Sequence, residues 1–212
     1  MPDMSKHYLF DFDGVLADSM PAWLGIHMGN LQNAGIPIPD DFVQTITPLG
    51  NTHGLAYLLS LGLPMTAEEY IELAGRQLIH AYKTEVQPKP FVAEGLRRLK
   101  EQGISLHVLT ANDHICVDDC LKRWQIYDLF DQIFTIDDFG LTKNDPALFQ
   151  QAAARLDADV SECTMLDDNI HAITTAKAAG MHTIGVYDES SRNTEAAMRQ
   201  SAEGYIRDFS EL

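Results

Sequence analysis

The amino-acid sequence predicts an α/β fold: a parallel sheet flanked by helices, with an all-helical segment inserted after the first strand. Three observations carry this expectation. Segments rich in β-formers alternate with segments of helical period, the pattern of parallel strands joined by helices. The alternation is interrupted once, across residues 18–86, where helical patterns follow one another with no convincing strand. The chain's 212 residues, 45% of them apolar and 22% charged, suit one domain with a buried core and a smaller insertion, and exclude a disordered or fibrous chain.

Along the chain, residues 7–12 read as the first strand. Inside the insertion, 21–34 and 52–61 have helical patterns, and Thr66 with Glu69 has capping-box spacing before a helix over 66–83. Pro88 and Pro90 stiffen the return. A helix over 91–102 closes at Gly103, and one over 170–179 closes at Gly180, where a left-handed C-cap favours glycine. Strands are expected at 104–109, 132–135, 163–166 and 182–187, with a short edge strand at 204–206. Asp145 followed by Pro146 fits an N-cap and first helical position for 146–156. The expected division is an α/β core of residues 1–17 and 87–212 and a helical unit of residues 18–86.

Charge narrows the function classes. Fifteen Lys and Arg against 31 Asp and Glu give a net charge of −16, which disfavours nucleic acid and anionic membranes as partners. No apolar run approaches the roughly 18 residues of a membrane span, and residues 1–6 lack an apolar signal core, so a cytoplasmic protein is expected. Cys116, Cys120 and Cys163 form no C-x-x-C pair, which argues against a disulfide framework or thiolate metal site.

The chemistry-bearing residues stand at strand ends. The first strand runs out in Asp11-Phe-Asp13-Gly14, at the carboxyl end of a strand, where ligands of parallel sheets bind. Alternation sends both aspartates to one face for as long as the strand persists. Two close carboxylates repel unless a cation or proton lies between them. An ordinary acidic turn, with Gly14 present only for its backbone freedom, explains this motif equally well in isolation. The fourth strand ends in Asp167-Asp168-Asn169, where helix capping would account for one aspartate and leave the second unexplained. Two acidic pairs suggest a hard-cation site of oxygen ligands, with Mg2+ favoured. Thr110 puts a hydroxyl after the second strand, with the backbone amides from Ala111 onward suited to an anion-binding turn, and Lys143 precedes a helix.

In that order, Asp11-Phe-Asp13-Gly-Val, Thr110, Lys143-Asn-Asp145-Pro146 and Asp167-Asp168 resemble the four motifs of the haloacid-dehalogenase-like hydrolase superfamily. The resemblance spans nearly the whole chain and implies a Rossmann-like core. The insertion is similar to the helical cap of the branch containing β-phosphoglucomutase and phosphoglycolate phosphatases. The resemblance implies that Asp11 is a nucleophile forming an aspartyl phosphate and Asp13 the general acid and base. Thr110, Ala111 and Lys143 would hold phosphoryl oxygens. Mg2+ would be ligated by the Asp11 side chain, the Asp13 carbonyl and Asp168, with Asp167 a further ligand or a supporting residue. The expected substrate is a small phosphorylated metabolite, a sugar phosphate or phosphoglycolate-like compound.

Two positions depart from the family pattern. Ala172 stands where a third acidic residue sometimes follows the fourth motif, and Trp23 where the mutase branch tends to carry histidine. The alternatives are a sugar-phosphate mutase and a phosphate-responsive regulatory module. His27, His53 and His80 in the insertion, and His114 and His171 beside the motifs, are further candidates for the cleft.

Overall fold

A computed structural model describes residues 6–212 and divides the chain into two compact units, Met1–Asp18 with Gln87–Leu212, and Ser19–Val86.

The first unit carries β1 (His7–Phe10), then β2 (Ala17–Asp18) paired antiparallel with β3 (Gln87–Pro88), so the chain leaves and re-enters this unit side by side. Residues 19–86, between β2 and β3, form the second unit. The first unit continues with α5 (Val92–Glu101), β4 (Ser105–Thr110), α6 (His114–Arg123), β5 (Gln132–Thr135), α7 (Pro146–Arg155), β6 (Cys163–Asp167), α8 (Ile170–Ala179), β7 (His182–Val186), α9 (Glu195–Ser201) and β8 (Gly204–Ile206). Six strands form one parallel sheet in the order β5-β4-β1-β6-β7-β8.

Both faces of that sheet are covered, as an all-parallel sheet requires. Leu9 on one face packs with Leu109, Met165, Leu148 and Phe149 beneath α7 and α8. Its neighbour Phe10 points the other way and stacks on Phe209, ring centroids 5.9 Å apart. On that side Gly95 of α5 lies so close to the C-terminal segment that a Cβ would meet the Phe209 carbonyl oxygen at 2.7 Å.

The expected local devices are present: Asp145 accepts from the Ala147 amide at 2.9 Å, and Gly103 and Gly180 take φ of 81° and 105°. The first strand is shorter than 7–12. Asp11 N still donates to Leu166 O, but the amides of Leu16 and Ala17 both turn back to Phe12 O, which closes a loop at Asp11–Ala17 instead of extending the ladder. Among the described residues, α6, α9 and the short helix Phe42–Ile46 of the second unit were not expected from the sequence.

The second unit holds α1 (Met20–Asn33), α2 (Phe42–Ile46), α3 (Gly50–Ser60) and α4 (Ala67–Thr84) around Leu31, Phe42, Leu58, Tyr70 and Ala74. The Thr66–Glu69 capping box is formed in both directions, at 2.7 and 3.2 Å. Polar pairs link α1 to α4: Trp23 Nε1 donates to Tyr82 Oη at 3.0 Å, and the Asn30 and Gln77 amides bond reciprocally at 2.8 and 3.0 Å. Among the described residues, no helix is long and apolar enough to cross a membrane.

Candidate active site

The sheet register determines which side chains meet. Phe10 is level with Leu166 of β6 and Val108 of β4, so Asp11, Asp167 and Thr110 all emerge at the carboxyl ends of the three central strands. Asp11, Asp167 and Asp168 each offer a carboxylate oxygen within 4.8 Å of the others. Lys143, from the turn before α7, reaches into the group, its Nζ 2.7 Å from Asp11 Oδ1 and 2.8 Å from Asp167 Oδ2. Asp167 is fully buried, and the Lys143 and Asp11 side chains are each 14% exposed.

Helix capping does not account for the second acidic pair, because Asn169 caps α8, its side chain accepting from His171 N at 2.9 Å. Burial raises the Asp167 carboxyl to about 6; Lys143 opposes the shift and Asp11 adds to it. Asp168 is raised well above the usual carboxylate range, first by burial, then by the charges of Asp167, Asp11 and Asp188. Burial alone would lower the Lys143 ammonium, but Asp11 and Asp167 hold it above its ordinary value. The group is therefore short of positive charge. An all-oxygen donor set with that deficit fits a hard divalent cation such as magnesium.

Asp13, like Asp11, lies past the last residue of β1. With β1 ended at Phe10, strand alternation no longer governs it, and its Oδ2 accepts from Asn112 Nδ2 at 2.9 Å. The loop after Asp13 turns at Gly14, whose φ is 76°. Thr110 is buried, its Oγ1 accepting from Asn112 N at 3.0 Å, and Ala111 is exposed in the bend that follows. Ala172, at the position of the missing acid, is 2% exposed on the inner face of α8.

The histidines are accounted for locally. His27 lies 2.6 Å from Tyr70 Oη and is lowered to about 4 by burial, and His114 pairs with Asp138 at 3.1 Å. His53, His80 and His171 are exposed. All three cysteines are free and buried.

Three residues near the site carried no assigned role in the sequence. Asn112 was legible only as part of the threonine stretch. Lys89 and Asp188, 99 residues apart, join in an ion pair of 2.6 Å beside the Gly14 loop.

The model of the haloacid dehalogenase-like hydrolase family matches residues 8–186. A probable phosphatase, IndB, of Dickeya dadantii is 30% identical, the match covering 86% of this chain and 81% of that protein. A phosphoglycolate phosphatase of Neisseria meningitidis is 29% identical over 84% of this chain and 78% of that one. Among solved structures, a putative β-phosphoglucomutase from Thermotoga maritima superposes with a TM-score of 0.80 at 22% identity, covering 95% of this chain and 94% of that one, a likeness of fold. The acidic group at the strand ends thus lies within the matched span, and the chain belongs to the haloacid dehalogenase-like hydrolase family.

Proposed function

We propose that this hydrolase is a magnesium-dependent phosphatase that cleaves a small phosphomonoester, a sugar phosphate or phosphoglycolate-like metabolite, through an aspartyl phosphate. The observation that carries the reading is the Asp11 carboxylate, held by the Lys143 ammonium inside a buried acidic group. The phosphatase names of the relatives support the same reaction class.

The physical problem is repulsion. A dianionic phosphate about 4 Å from one carboxylate is repelled by roughly 8 kcal/mol at an effective dielectric of 20. Lys143, its Nζ 2.7 Å from Asp11 Oδ1, offsets part of this. The Asp11 and Asp168 carboxylates and the Asp13 carbonyl would hold the magnesium ion, with Asp167 beside them as a further ligand or a support for Lys143. When bound, the cation neutralises charge on the phosphoryl oxygens. Asp11 attacks phosphorus in line, and the phosphoryl oxygens are steadied by the Thr110 hydroxyl, the Ala111 amide and Lys143. Asp13, steered by Asn112, gives a proton to the leaving alcohol and later takes one from the attacking water. The helical insertion is assigned the choice of leaving group.

Phosphate release from a panel of small phosphomonoesters, with magnesium and with a chelator, tests the reading. Magnesium-dependent release that disappears in Asp11→Asn is expected. Substantial turnover by Asp11→Asn rejects the aspartyl-phosphate route, and interconversion of sugar phosphates without phosphate release favours a mutase.

A further inference from the structure

Lys89 sits just after β3, outside all four motifs, yet it grips the loop after β1 twice. Its backbone N–H donates to Leu16 O at 2.9 Å, and its Nζ donates to Gly14 O at 3.1 Å. The same ammonium donates to Tyr187 O at 2.9 Å and to Asp188 Oδ2 at 2.6 Å, so all three of its N–H groups have acceptors. The Lys89 and Asp188 side chains are 14% and 6% exposed. A buried ion pair of this kind is weak evidence for stability, because desolvation offsets much of the attraction, and its geometry invites a positioning role.

What Lys89 positions is specific. Gly14 follows Asp13 directly, and the Asp168 carboxylate packs against the Gly14 Cα. The Gly14 peptide is therefore fixed on one side by Lys89 and on the other by a proposed metal ligand. Asp188 gives the Lys89 ammonium its counter-charge at 2.6 Å.

We infer that Lys89 is a positioning residue for the cation site, holding the Gly14 carbonyl so that the Asp13 peptide and the Asp168 carboxylate keep their spacing, with Asp188 as its counter-charge. The inference rests on the phosphatase reading for its consequence in turnover, but not for its effect on cation binding. It requires that loss of the Lys89 hold weaken magnesium binding and slow turnover while substrate affinity stays nearly constant.

The test is a charge-conserving pair. Lys89→Met with Asp188→Asn removes the ion pair as a unit and leaves no orphan buried charge. Calorimetric titration with magnesium alone should show binding about tenfold weaker than in the original protein, the range seen when groups supporting metal ligands are removed. With p-nitrophenyl phosphate, kcat should fall about tenfold or more while KM stays within about threefold. If the pair fails to fold, Lys89→Gln with Asp188→Asn is read by the same numbers. Magnesium affinity within about twofold of the original in a folded pair variant overturns the inference. If the original protein releases no phosphate, the phosphatase reading fails, and the magnesium titration still decides the role of Lys89.

Discussion

The Asp168 carboxylate rests on the Cα of Gly14: a Cβ built there would lie 2.8 Å from Asp168 Cγ and 2.9 Å from Oδ2. The glycine also takes φ of 76°, a conformation L side chains rarely adopt. Gly14→Ala should therefore cost about 1–3 kcal/mol of stability. Displacement of Asp168 should also lower phosphate release by about a hundredfold at fixed magnesium. Chemical denaturation and steady-state assays measure the two losses, and a variant with near-original turnover contradicts the packing argument.

Lys143 stands between Asp11 and Asp167, and both contacts are short. Lys143→Met leaves the carboxylates facing one another, and in chelator the variant should be less stable by about 3 kcal/mol at neutral pH. Its phosphate release should fall at least about a thousandfold. Magnesium should raise the melting temperature of this variant more than that of the original, since the site has lost its own cation. An equal or smaller magnesium shift would show that Lys143 does not share the charge load.

His107 in β4 is 2% exposed, its Nε2 3.2 Å from His7 Nδ1. Burial, then the neighbouring His7, lowers its pKa from 6.5 to about 4. Its folded-state pKa is depressed, so the unfolded chain takes up the proton first as pH falls. The neutral ring's contribution is full above pH about 6.5 and is lost progressively towards pH about 4. Between pH 7 and 5 this amounts to about 2 kcal/mol. His107→Leu should flatten that part of the stability profile measured by denaturant titration, and an unchanged slope would assign the acid sensitivity elsewhere.

Phe91 precedes α5 with φ of 63° and is 53% exposed. A non-glycine residue is strained there and its ring contributes little burial. Phe91→Gly should raise stability by about 0.5–1 kcal/mol, net of the added freedom of the unfolded chain. A lower melting temperature would mean the exposed ring makes a contact worth more than the strain.

The acidic residues were legible because they interrupt apolar strands at their carboxyl ends, where a parallel sheet gathers its ligands. Asp11, Asp167 and Asp168 meet because β1 and β6 are adjacent, and two such interruptions in one chain are hard to explain by capping alone. The path of Asp13 was not legible. Strand alternation holds only while the strand persists, and β1 ends at Phe10, so the loop that follows sets Asp13 beside Asn112. Lys89 and Asp188 were invisible for another reason: each is a single charged residue in a chain with 31 acids, and their pairing depends on the fold bringing β3 beside the end of β7. Helix α6 was missed because its buried face is only Cys116, Val117, Cys120 and Leu121, too short a stripe to stand out from the polar residues between them.

The antiparallel pairing of Ala17 with Pro88 and Asp18 with Gln87 makes the insertion, topologically, a loop hung on a two-residue ladder of backbone. Any segment whose ends can be brought to neighbouring-strand distance, about 5 Å, can replace it without changing the register of β4, β1 and β6. Diversification and reaction chemistry are thereby uncoupled in heredity. One contiguous exchange of sequence can supply a new helical unit, while the proposed site residues, scattered across the rest of the chain, are left untouched.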